Sequence, residues 1–201
     1  MEYSSQIIKN LVDSFVRFPG IGKRTAIRMV LHLLKQNNDE VTTLGELILK
    51  TRTEIKYCKV CHNLSDKEVC NICSDNSRDH SSVCVVEDLR DIIAIENTNQ
   101  FNGIYHVLGG LISPIEGISP SELNIDSLIK RIEKDEIKEI IFALNVNMEG
   151  DTTMFYISKQ LKNKKIKLSA ISRGISVGGE LEFADEITLG RSIKNRTTYH
   201  I

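Results

Sequence analysis

The sequence predicts an α/β protein made of four successive pieces: two helices joined by a tight hairpin, a small cysteine-rich insert, a mostly parallel sheet flanked by helices, and a short C-terminal segment. Three observations predict it. Apolar residues recur at helical spacing on both sides of Phe18-Pro19-Gly20. Four cysteines fall in two close pairs between Tyr57 and Asp75. From residue 80 to 175, short β-branched runs alternate with amphipathic stretches, the pattern of a parallel sheet covered by helices.

Each element follows in order. Ser4 or Ser5 caps a first helix carrying Ile7, Ile8, Leu11, Val12 and Phe15. Pro19 and Gly20 end it. A second helix runs from about Lys23 to Lys35, with Ala26, Met29, Val30, Leu33 and Leu34 as its apolar stripe and Arg24, Arg28, His32 and Lys35 opposite. A third starts at Thr43, with Glu46 completing a capping box and Leu44, Leu47, Ile48 and Ile55 as its buried face. Beyond the cysteines, strands are expected at Ser82–Val86, Gly103–Leu108, Glu139–Leu144 and Ile166–Ile171. Helices are expected at Leu89–Glu96, Ile125–Lys134 and Thr152–Lys162. The end of the chain reads as a Gly-rich stretch and a short basic tail. Domain boundaries are expected at 1–56, 57–75, 80–175 and 176–201.

Composition narrows the function. In 201 residues, 41% are hydrophobic and 26% charged, which excludes a wholly disordered chain. The longest apolar runs, such as Val83–Val86 and Ile140–Leu144, fall far short of the roughly 20 residues a membrane span needs. No basic-then-apolar signal follows Met1, so a cytoplasmic protein without a membrane partner is expected. The formal net charge is −1, yet the charges are segregated. Six bases between Lys9 and Lys35 face a single acid, Asp13, and six more from Lys159 to Arg173 face none. Such blocks suit polyanion contact, against the plainer alternative of solvated helix faces.

Cys58-Lys-Val-Cys61 and Cys70-Asn-Ile-Cys73 are separated by eight residues. Two such turns complete a tetrahedron of thiolates, so a closed, structural Zn²⁺ site is expected, with an iron–sulfur cluster as the alternative. The plainer alternative is free thiols or two disulfides, which a cytoplasmic compartment disfavours. His62 adjoins Cys61, but four cysteines already fill the coordination sphere. Cys84, inside an apolar strand, reads as an inert core residue.

Phe18-Pro19-Gly20-Ile21-Gly22-Lys23-Arg24 joins the first two helices. Gly20 and Gly22 allow a tight turn and close approach of a ligand, and the amides at the helix start make a phosphate cradle. Lys23, Arg24 and Arg28 add charge beside it, and Ile21 packs inward. DNA is the expected ligand, held by its backbone without regard to base sequence. The alternative is an ordinary helix–helix turn. Gly22-Lys23-Arg24-Thr25 is not a phosphate loop for ATP: Arg24 stands where Ser or Thr is needed and Arg17 where Gly is needed.

Glu87 ends the first expected strand, and Asn145-Val146-Asn147-Met148-Glu149-Gly150-Asp151 follows the third. This arrangement resembles the Toprim domain of topoisomerases, primases and related nucleases. Catalytic members carry Asp-x-Asp in the second motif; here both positions are Asn, a poorer Mg²⁺ ligand. No tyrosine sits in a distinctive nucleophile motif. Glu87, Glu149 and Asp151 remain as an acidic site for a weakly held ion or a partner contact.

In order, the hairpin, the four-cysteine finger, the Toprim-like segment and Arg173–Asp185 resemble the RecR family of bacterial recombination mediators over essentially all 201 residues. The resemblance implies a non-enzymatic, clamp-like DNA-binding protein of recombinational repair. It implies a homo-oligomer, a dimer or ring tetramer, acting with RecO and RecF to help load RecA at gapped DNA. Leu181–Glu186 loosely matches a Walker B element, but without a phosphate loop no ATPase is expected.

Overall fold

Caps and packing decide where the elements begin. The computed structural model describes residues 4–172, 174, 175, 178 and 180–198, and the chain divides into two units, Met1–Ile55 and Lys56–Ile201. In the first, Ser5 caps α1 (Gln6–Val16) by accepting from the Ile8 amide. Val12 of α1 packs on Ala26 and Val30 of α2 (Lys23–Leu33), ringed by Ile8, Phe15, Ile21 and Ile27. This hairpin closes its small core on itself, so Met29 and Leu34, expected in the buried stripe, stay exposed.

The third helix departs from expectation. α3 (Asn38–Glu54) starts five residues before Thr43, because Asn37 Oδ1 accepts from the Glu40 amide at 2.8 Å, with Asp39 and Glu40 favouring the positive helix end. Its expected buried face is not buried: Leu44, Leu47, Ile48 and Ile55 are all exposed, and no residue of α3 is buried.

The second unit opens with a two-residue antiparallel pair, β1 (Lys56–Tyr57) with β2 (Leu64–Ser65), then the short α4 (Asn71–Ser74). There follow β3 (Asp79–Val86), α5 (Leu89–Glu96), β4 (Gly103–Val107), α6 (Ile125–Lys134), β5 (Glu139–Ala143), α7 (Met148–Gln160), β6 (Lys167–Ala170) and α8 (Glu186–Lys194). Among the described residues β4-β3-β5-β6 form an all-parallel sheet, Val83 to Val86 in register with Ile104 to Val107 on one side and with Ile140 to Ala143 on the other. Side chains alternate across it. Val83, Val85, Ile140 and Phe142 meet Leu128 and Ile132 of α6 and Ile157 of α7. Cys84, Val86, Tyr105 and Val107 meet Ile92 of α5.

Several boundaries move. β3 begins at Asp79, with a register irregularity before Val83. α7 begins at Met148 and not Thr152, since Asn147 caps it. Part of the C-terminal segment is helical: Asp185 caps α8 by accepting from the Thr188 amide at 2.8 Å. Arg173, Ser176, Val177 and Gly179 of the expected C-terminal motif lie outside the described residues. Among the described residues no helix is long and apolar enough to cross a membrane.

Candidate functional site

The four cysteines converge. Cys58 and Cys61 sit on the turn after β1, where the Cys58 amide donates to Asn63 O at 2.7 Å and the His62 amide to Cys58 O at 3.0 Å. Cys70 and Cys73 sit at the start of α4. All four Sγ atoms lie within 4.8 Å of one another. Zn–S bonds of about 2.3 Å require tetrahedral sulfurs about 3.8 Å apart; Cys61 Sγ and Cys70 Sγ are 3.6 Å apart. The Cys70 amide donates to Cys58 Sγ at 3.3 Å, a contact that favours thiolate. The hydrogen bond with Cys70 holds the Cys61 thiol far above its ordinary value and Cys70 correspondingly below. So crowded a set ionises fully only around a cation. All five cysteines are free, and the quartet fits a structural zinc. His62 stays outside it, its ring edge-on to His106 at 5.3 Å. Cys84 is buried in the sheet, and burial pushes its thiol up to about 12, as an inert core residue should be.

The zinc knuckle is bonded into the sheet. The Val107 amide of β4 donates to Cys61 O at 2.8 Å. Ile72 of α4 packs against both sheet cores.

In the hairpin, the Ile21 amide donates to Phe18 O at 3.1 Å and Ile21 joins the α1–α2 core. Gly20 adopts φ +75°, the left-handed region a glycine tolerates best. Gly22 does not: its φ of −82° suits any residue, and a Cβ there meets nothing within 4 Å. Its role is confined to open space at the first turn of α2, which has no side-chain cap. First-turn amides without such a cap face outward at the positive helix end. Lys23, Arg24 and Arg28 are exposed there, and among the described residues Arg24 and Arg28 enter no ion pair. The second basic block is partly neutralised, by Lys164 on Glu133 at 2.8 Å and Lys167 on Glu139 at 3.0 Å, while Arg173 lies outside the described residues.

Glu87 and Glu149 lie at the C-terminal ends of β3 and β5, where the strand order reverses and ligands of such sheets bind. Glu87, Glu149, Asn145 and Asn147 line a cleft of about 320 Å³ with Ser113 and Glu116. Thr153 Oγ1 accepts from the Ile112 amide at 2.9 Å and so fastens the Ser113–Glu116 loop to α7. Asn145 Nδ2 donates to Glu87 Oε2 at 2.9 Å, and Asn147 Oδ1 accepts from the Gly150 amide at 2.8 Å. Burial, then the charges of Asp91 and Asp88, raise the Glu87 carboxyl above the usual carboxylate range. Asp151 is not part of the cleft lining; its Oδ2 faces Arg191 of α8 at 3.9 Å. Glu87 and Glu149 therefore share the cleft while Asp151 stands outside its lining, and among the described residues only the four cysteines form a group of three or more such ligands close enough for one metal ion. Glu116 is a cleft residue that sequence reasoning missed, since it stands in an irregular loop with no motif of its own.

Comparison with known proteins covers the whole arrangement. Residues 8–51 match the family described as RecR, helix-hairpin-helix, and residues 55–75 the RecR four-cysteine zinc finger domain. Residues 81–172 match the Toprim domain and 174–197 the RecR C-terminal family. The recombination protein RecR of Flavobacterium johnsoniae is 57% identical over 199 residues, 99% of this chain and 97% of that protein. That of Phocaeicola vulgatus is 54% identical over 198 residues, 98% of this chain and 97% of its own length. That of Amoebophilus asiaticus is 52% identical over 200 residues, covering both chains completely. With hairpin, four-thiolate knuckle and parallel sheet in the same order and at this identity throughout, the chain belongs to the RecR family of recombination proteins.

Proposed function

We propose that the chain is a non-catalytic, clamp-like mediator that holds DNA by its phosphates and acts with RecO and RecF to help load RecA at gapped DNA. Family membership supports a role in recombinational repair. In this reading it works in the cytoplasm as a dimer or ring tetramer, several hairpins engaging one DNA through multivalency. The observation that carries DNA contact is the α2 start: a glycine turn, a helix end without a side-chain cap, and Lys23, Arg24 and Arg28 exposed around it. Asn at both positions of the second Toprim motif, with Asn145 spent on Glu87 and Asn147 on capping α7, supports the absence of a catalytic role.

Fluorescence anisotropy at two salt concentrations tests the reading. Each lost phosphate contact lowers the slope of log K against log salt by about 0.7 to 0.9. Lys23→Ala with Arg24→Ala should weaken binding on unrelated sequences alike and lower the slope by about 1.4 to 1.8. Zinc content should stay unchanged. A double variant that binds like the parent at both salts leaves the hairpin a plain turn and shifts attention to Lys159–Arg173.

A further inference from the structure

We propose that the cleft between the zinc knuckle and the start of α5 binds an unpaired nucleobase of single-stranded DNA. The cleft has a volume of about 340 Å³, near the lower end of ligand-site sizes. Leu64, Leu89 and Val107 give it apolar walls, and Tyr57, His62 and Asn63 line it from the knuckle.

Two side chains point to the ligand class. Asn63 is only 7% exposed. Its Oδ1 accepts from the Leu64 amide at 2.8 Å, which fixes the side chain, while its Nδ2 has no protein partner among the described residues. An amide donor on so buried a side chain, left without a protein partner at the cleft, favours a ligand that brings an acceptor, as every nucleobase does through a carbonyl or ring nitrogen. Tyr57 is the opposite case: 71% exposed, yet on a backbone pinned opposite Leu64 by the β1–β2 pair. An aromatic ring on a rigid strand is a platform on which any base can stack.

Charge argues for the base over the phosphate. Arg90, the cation at the cleft, is committed to Asp88, its Nε donating to Oδ2 at 2.8 Å beside a second contact from Nη2. The ion pair closes on itself and leaves the lining without a free cation. An apolar peptide side chain would fit the walls but would leave the Asn63 amide unpaired. Bases in a duplex are stacked and paired, so this cleft adds affinity for single strands alone. The proposal rests on the reading that the chain binds DNA. The hairpin supplies binding indifferent to strand state; the cleft supplies the preference.

The test uses the full-length zinc-loaded protein, an oligothymidylate with one 2-aminopurine, and a blunt duplex of equal length. Tyr57→Ala should weaken single-strand binding on the order of 10- to 100-fold, the value of one base–aromatic stack, and leave duplex binding and the salt slope unchanged. Tyr57→Phe, which keeps the ring, should bind as the parent does. Quenching of 2-aminopurine on binding should persist in Tyr57→Phe and vanish in Tyr57→Ala. Asn63→Asp keeps the acceptor for Leu64 and removes the donor, and should also lower single-strand affinity at unchanged zinc content. Single-strand affinity within twofold of the parent in Tyr57→Ala overturns the proposal. So does an equal loss on duplex, or intact DNA binding with loss of a protein partner, which marks a peptide cleft. If DNA binding depends on Lys23 and Arg24 but not on Tyr57, only this proposal fails. A parent protein that binds neither DNA overturns the DNA-binding reading as well.

Discussion

Gly150→Ala should disturb the acidic cleft more than any exposed substitution around it. A Cβ at Gly150 would stand 2.0 Å from the Asn145 carbonyl oxygen and 3.1 Å from Asn147 Oδ1. The first contact is with backbone, so no rotamer relieves it; the first turn of α7 must move off the strand end. Overpacking of this kind costs about 1 to 3 kcal/mol. The same movement breaks the Asn147 cap, worth about 0.5 to 2 kcal/mol. The better helix propensity of alanine returns about 1 kcal/mol. The net expectation is a loss of about 2 kcal/mol, read from urea unfolding. A local readout accompanies it: with Asn145 displaced, Glu87 loses the 2.9 Å hydrogen bond that favours its charged form, and its carboxyl titration, followed by NMR, should move upward. Gly22→Ala is the control, since φ is ordinary and the space open; it should cost no more than about 1 kcal/mol, the worth of an N-cap preference. Gly150→Ala within about 0.5 kcal/mol of the parent, with Glu87 titrating as before, would refute the reasoning.

Two further outcomes are expected. Cys70→Ser should lower zinc from about one per chain towards none and the melting temperature by roughly 5 to 10 °C, because the knuckle has little core of its own and Ile72 anchors it to the sheet; an unchanged melting curve after chelation would contradict this. His106 is fully buried, its Nε2 donating to Asn124 O at 2.8 Å, and burial lowers its pKa to about 3. The folded state therefore keeps it neutral while the unfolded chain takes up a proton below the ordinary 6.5. Stability contributed by the neutral ring is present above that pH and falls on acidification, by about 1.4 kcal/mol per pH unit down to about 3. His106→Gln should flatten the slope between pH 6 and 4 by about one proton; parallel curves would show that another group sets the acid limb.

Legibility differs with the kind of signal. The zinc ligands are readable because a thiolate pair needs a fixed short spacing, and α5 and α6 because their apolar periodicity faces a sheet. The start of α3 is misleading in sequence because Thr43-x-x-Glu46 satisfies a capping pattern that Asn37-x-x-Glu40 also satisfies, and the true cap lies in the stronger position, before an acidic first turn. Its apolar stripe says what the helix would bury, and not whether this unit supplies a cover. In sequence, Asn145 and Asn147 look like degenerate metal ligands; their hydrogen bonds to Glu87 and to the Gly150 amide are tertiary and local facts that share one sequence motif. The separation of Asp151 from Glu87 and Glu149 follows from the α7 start: two residues along a helix is more than half a turn.

The hydrogen bond from Val107 to Cys61 carries one more consequence. β4 is an outer strand, and outer strands expose unpaired amides that template pairing with other chains. Here the Cys61 carbonyl takes the Val107 amide at the C-terminal end of that border, and zinc bound by the four cysteines would hold the knuckle there. Zinc thus guards the sheet against its own kind of contact. A chain stripped of metal would fail by sticking, strand against strand, before the interior comes apart, and a metal-poor preparation would announce itself as turbidity ahead of any loss of helical signal.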